Sequence, residues 1–187
     1  MRRVEMSHDS AQRGDEVAFE ALPPFLAYSR DEMGTEAALF EDGLEHLLRR
    51  PQRFAWDDLC ELYRRIETHA QGHSTLEELF AERALQTPSF GRLMKMAGLV
   101  TSPTLLYTLG NRFTMARIFA HLLVRSQSLD DGRVVIDITI PDTHQDCPQM
   151  FKGTAGILIA LPQLLGLGRA HVKTKYALRT ARYEVTP

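Results

Sequence analysis

The densest grouping of chemically capable side chains in the sequence is Asp142, His144, Asp146 and Cys147. A thiolate, an imidazole and a carboxylate this close could hold zinc, but a structural zinc site takes four protein ligands, usually as paired Cys or His. The stretch offers half of one pair, so no metal is expected. Cys147 precedes Pro148 at the start of a predicted helix, where a thiol's pKa falls and nucleophilic chemistry becomes available. The preferred reading for it is a buried or capping residue. His69 and His73 stand four apart, but Gly72 and Ser74 put His73 beyond the helix, and both are read as solvated. No Gly-x-Ser-x-Gly elbow, Walker loop or Gly-x-Gly-x-x-Gly occurs, so no familiar catalytic constellation is present. The chain is read as no enzyme, with a Cys147-dependent enzyme as the catalytic alternative.

His171, Lys173 and Lys175 alternate along one predicted strand, with Arg179 and Arg182 nearby. Such a row suits an anion or a nucleic acid, or it protects a sheet edge against mispairing. With 22 Lys+Arg against 24 Asp+Glu, a net charge of −2, edge protection is favoured and no nucleic-acid partner is expected.

The elements that must position these residues fall into two halves. Residues 1 to about 20 are a polar arm. Leu22-Pro23-Pro24-Phe25-Leu26 is read as an extended apolar hook, because each proline biases its predecessor out of helix. Helical patterns follow over Thr35–Arg49 and from Trp56 to about His69. Ser74-Thr75-Leu76-Glu77 reads as a capping box opening a helix through Leu85. Thr87-Pro88 and Ser102-Pro103 each read as a cap with proline at the first helical position. The period then becomes two: Val134, Ile136, Ile138 and Ile140 form an apolar strand face, with Ala120–Ser128 as partner across Asp130-Asp131-Gly132. Cys147-Pro148 opens a helix to at least Ala160, and His171–Leu178 and Arg182–Val185 close the chain as a second hairpin. Helices, hairpin, helix and hairpin predict an α+β fold with a helical N-terminal half. Its antiparallel sheet has about four strands, with a long helix between the two hairpins.

A length of 187 residues with 44% hydrophobic content supports one folded domain, read as an arm and hook over 1–34 and a single α+β domain over 35–187. No apolar run approaches the ~20 residues of a membrane helix, and the two cysteines cannot form a disulfide framework. No membrane partner is expected and the compartment is read as cytoplasmic.

Asp146-Cys147-Pro148-Gln149-Met150-Phe151-Lys152-Gly153-Thr154-Ala155-Gly156, then Leu161-Pro162-Gln163-Leu164-Leu165-Gly166-Leu167, Ala170-His171-Val172 and Ala181-Arg182-Tyr183-Glu184-Val185, form a connected pattern. It resembles the bacterial regulatory domains placed ahead of histidine kinases and cyclases. It is similar to 4-vinyl-reductase-like ligand domains and to the C-terminal half of haem–nitric-oxide-binding domains, over residues 88–186. The resemblance implies a sensory domain with a kinase or cyclase module as its output. Haem-binding relatives carry an axial histidine on a helix and a Tyr-x-Ser-x-Arg clamp; Tyr28-Ser29-Arg30 and Tyr107-Thr108-Leu109 do not match that spacing, and no cofactor is expected. Met94, Phe113, Met115, Phe119, Met150 and Phe151 are an adaptable apolar set, assigned to a small, largely apolar ligand between the Cys147 helix and the sheet. Signalling through an isologous homodimer burying Leu22, Phe25 and Leu26 completes the reading. A protein–protein interaction module without ligand is its alternative.

Overall fold

The computed structural model describes residues 16–83, 102–110 and 115–187. Its centre is an antiparallel sheet in the order β3-β4-β6-β5, built from β3 (Leu123–Ser128), β4 (Val134–Thr139), β5 (His171–Tyr176) and β6 (Thr180–Thr186). The alternation expected over 134–140 is seen throughout β6 and, apart from the buried Val135, in β4. Val134, Ile136 and Ile138 of β4 and Ala181, Tyr183 and Val185 of β6 are buried, with Ile136 opposite Tyr183. The α+β architecture with a helix between two hairpins is therefore observed.

Five of the helices among the described residues are α1 (Pro23–Met33), α2 (Trp56–Ala70), α3 (Leu76–Arg83), α4 (Pro103–Leu109) and α5 (Ala116–Ile118); α6 (Pro148–Ala160) lies against the sheet. A two-stranded pair, β1 (Val17–Ala18) and β2 (Arg53–Phe54), ties the start of the described chain to the residues just before α2. On α2, Leu59, Leu62, Tyr63 and Ile66 are buried at spacings of three and four, which is one helical face.

Two sequence expectations are corrected. The Leu22–Leu26 segment is not an extended hook: Pro23 and Pro24 occupy the first turn of α1. There a missing N–H costs nothing, because first-turn donors have no intrahelical acceptor, and proline's φ already suits a helix. Leu22 and Phe25 are buried in the domain's own core, with Phe25 against Tyr63 and Phe80, and Leu26 packs on the same core. Residues 35–49 are not one helix either. They form two short 3-10 turns, Ala38–Phe40 and Glu45–Arg49, separated where Asp42 and Gly43 take φ of 54° and 96°. The left-handed backbone at Gly43 cannot continue a right-handed helix.

The capping box exists but one residue later than expected. Glu78 N–H donates to Thr75 Oγ1 at 3.2 Å and Thr75 N–H donates to Glu78 Oε2 at 2.9 Å, so Thr75 rather than Ser74 caps α3. These bonds hold the Glu78 carboxyl below its ordinary pKa. Thr75→Ala is expected to cost about 1 kcal/mol in urea unfolding, and Ser74→Ala close to nothing. The reverse order would return the cap to Ser74. The Ser102 cap is as expected, its Oγ accepting Leu105 N–H at 3.3 Å. The helix expected after Thr87-Pro88 lies outside the described residues.

Candidate functional site

Helix α6 carries two of the apolar candidates, Met150 and Phe151. It is clamped from three sides. Tyr183 of β6 donates its hydroxyl to the Phe151 carbonyl at 2.8 Å, and Tyr107 of α4 donates to the Leu158 carbonyl at 2.7 Å. On the third side α3 comes into backbone contact: a Cβ at Gly156 would lie 2.1 Å from the Glu77 carbonyl oxygen. Burial raises the pKa of both tyrosines, that of Tyr183 further still, so both remain neutral donors.

Met150 and Phe151 of α6 and Phe119 share one buried core, and Met115 packs against it. Met94 and Phe113 lie outside the described residues. Met150 and Phe151 are fully buried against packed neighbours. Two open hollows lie elsewhere, on the outer sheet face and beside Arg50–Arg53.

A second cluster was not anticipated. His121 and His144 stack with ring centroids 4.4 Å apart and planes 11° from parallel, and the Trp56 ring meets His121 edge-on at 4.6 Å. His144 Nε2 is 3.0 Å from Glu16 Oε1, while Glu16 Oε2 accepts the Trp56 N–H at 3.1 Å at the start of α2. Trp56 Nε1–H donates to the Gln145 carbonyl at 2.7 Å, and Arg179 donates to the carbonyls of Pro141 and His144. Neither ring nitrogen of His121 has a hydrogen-bond partner in good geometry. Burial first, and His144 second, lower its pKa to about 4, against the opposing pull of the Glu16 backbone carbonyl. The cluster therefore joins β1, α2 and both ends of the first hairpin around a neutral imidazole. The hairpin register carries a signal for it, since Leu123 lies opposite Thr139 and His121 and His144 flank those strands at the same end.

The metal reading of His144 and Cys147 separates in space. His144 joins the histidine pair, while Cys147 is buried and meets Cys60 of α2, thiol to thiol. That contact and burial push the Cys60 thiol far up. At 1% exposure, Cys147 is closed to a substrate, which weighs against the Cys147-dependent enzyme. No group of three metal-ligating side chains occurs among the described residues. His69 is not a free loop histidine: its Nδ1 is 2.7 Å from the Tyr28 hydroxyl.

The arrangement of these elements defines a class: the fold is that of H-NOX proteins. The chain superposes on an H-NOX protein from K. algicida, solved as Fe(II) unliganded, with a TM-score of 0.58 at 8% identity, covering 90% of this chain and 94% of that one. An H-NOX protein from S. oneidensis in the Fe(II)NO ligation state gives 0.56 at 6% identity, covering 90% and 98%. No protein-family model matches the chain, and no curated protein matches it in sequence. The likeness is one of fold, and it spans the helical half as well as the C-terminal half to which the sequence resemblance was confined.

The residues present do not fit a haem. Of the seven histidines, only His8 lies outside the described residues. His46, His69, His73 and His171 are exposed, and His121 and His144 are occupied with each other outside any helix. Helix α4 carries no histidine; its buried Tyr107 is spent on the Leu158 carbonyl. Tyr-x-Ser-x-Arg occurs nowhere in the sequence, and Ser126 on β3 is flanked at two residues either side by Val124 and Ser128.

Proposed function

We propose that this protein is a non-catalytic sensory domain of a bacterial signal-transduction protein, built on the H-NOX fold but taking a small, largely apolar ligand instead of haem. The observation that carries this reading is the pairing of that fold over 90% of the chain with the lack of a buried histidine on the described helices and of the Tyr-x-Ser-x-Arg clamp. Met94, Phe113, Met115, Phe119, Met150 and Phe151 are the proposed ligand wall, in the manner of the 4-vinyl-reductase-like domains that the sequence resembles. Output passes to a kinase or cyclase module and through pairing of two copies in the cytoplasm. The pairing surface is not the Leu22–Leu26 segment, which is folded into the chain's own core. No helix among the described residues is long and apolar enough to cross a membrane. The second reading, an interaction module without ligand, is favoured by the tight seating of α6 on the sheet.

Native mass spectrometry of freshly purified protein, before and after incubation with hemin, tests both. A bound apolar small molecule and no stoichiometric Soret band are expected. A stoichiometric haem adduct with a Soret band would overturn the haem-free reading. A clean apoprotein mass in both samples would select the interaction module.

A further inference from the structure

We propose that the outer face of the four-stranded sheet docks an acidic protein segment carrying a bulky apolar side chain. The register brings one residue from each strand into a single row: Arg125 on β3, Asp137 on β4, Arg182 on β6 and Lys175 on β5. Side chains alternate between faces along a strand. The flanking Ile136, Ile138, Ala181 and Tyr183 are buried toward the core, so the row stands on the face away from α6. The row therefore holds three cations and one carboxylate.

The pairing within the row is incomplete. Arg182 Nη1 lies 3.4 Å from Asp137 Oδ1, but Arg125 and Lys175 make no hydrogen bond or ion pair among the described residues. Lys175 and Arg182 sit directly opposite each other on adjacent strands, and like charges so placed are destabilising unless an anion lies between them. The row lines an open groove of about 560 Å³. Leu123, 61% exposed, is on its wall; Leu178, 65% exposed, stands on the β5–β6 turn at the same end of the sheet. These are the two most exposed large hydrophobic side chains among the described residues.

Charge and apolar surface together select the partner. Two unpaired cations beside a third attract carboxylates, and exposed leucines at one end gain from covering by an apolar side chain. A nucleic-acid backbone fits worse, because the chain's net charge is −2 and Asp137 stands in the middle of the row. The surface uses no residue of the apolar interior, so it stands or falls separately from the ligand reading.

The probe is a fluorescein-labelled dodecapeptide of glutamates and leucines, titrated with the full chain by fluorescence anisotropy at low and moderate salt. Its counterpart with lysine for glutamate and a single-stranded oligonucleotide serve as comparisons. Saturable binding of the acidic peptide is expected, weakening with salt. The double variant Arg125→Glu/Lys175→Glu should raise Kd about tenfold or more, since neither side chain has an internal partner to lose. Leu123→Ser should weaken binding severalfold, and Asp137→Asn should tighten it, a response that a purely structural carboxylate would not give. No binding up to about 1 mM, unchanged binding by the folded double variant, or tighter binding of the oligonucleotide would each overturn the proposal.

Discussion

Gly156→Ala is expected to destabilise the protein by about 3 kcal/mol or more, lowering the melting temperature by roughly 10 °C for a chain of this size. The added methyl would sit 2.1 Å from the Glu77 carbonyl oxygen and 2.9 Å from the Ala81 nitrogen. Both atoms belong to the backbone of α3, so no side chain can swing aside; α3 and α6 must separate. Gly153→Ala should be milder, because its contacts are the Tyr63 ring at 2.8 Å and the Phe80 ring at 3.3 Å, which can tilt. Gly168→Ala is the control: nothing lies within 4 Å and its φ is not positive, so it should be neutral or slightly stabilising. Differential scanning calorimetry of the three variants reads the order directly. If Gly156→Ala melts with the parent protein, the helices do not touch at that point in solution. Because α6 carries Met150 and Phe151, the same contact sets where two of the proposed ligand residues stand.

The second large effect is in the pH dependence of stability. His121 has a folded pKa lowered to about 4 from 6.5, so the folded state favours the neutral ring and the unfolded chain binds more protons between those values. Stability from this group is therefore complete above about pH 6.5 and is lost as pH falls toward 4. His144 is the stacked neighbour, the Glu16 carboxylate is bonded to His144 while its backbone carbonyl opposes the shift, and Arg53 adds to the depression. Discounted for partial solvent access to His121, the loss between pH 7.5 and 4.5 is about 2 kcal/mol. His121→Phe keeps an aromatic ring between Trp56 and His144 but cannot take up a proton. Urea unfolding of both proteins at the two pH values should show the parent losing about 2 kcal/mol more than the variant. Parallel losses would mean that His121 is not held neutral by the fold.

Much of the framework was readable from local chemistry. Strand 180–186 and, apart from the buried Val135, strand 134–139 carry alternating burial, and helices 56–70 and 148–160 begin and end close to where periodicity placed them. The failures were also local. Pro23-Pro24 serves an extended segment or a helix's first turn equally well, and only the contacts of Phe25 with Tyr63 and Phe80 select the helix. Ser74 and Thr75 each precede a glutamate by three residues, so both registers of the capping box satisfy the pattern. The register used is the one that leaves Leu76, Leu79 and Phe80 facing the core.

By itself, then, the sequence determined the α+β class, the order of hairpin, helix and hairpin in the second half, and the absence of a Tyr-x-Ser-x-Arg run, because each depends on residue types and short spacings. Tertiary structure alone decided the rest. It joined Cys60 to Cys147 and Glu16 to His144, let α3 lie on Gly156, and aligned Arg125, Asp137, Arg182 and Lys175 across four strands. The physical reason is that each of these depends on the relative placement of elements far apart in the chain. Burial of the common core, rather than any local preference, sets that placement.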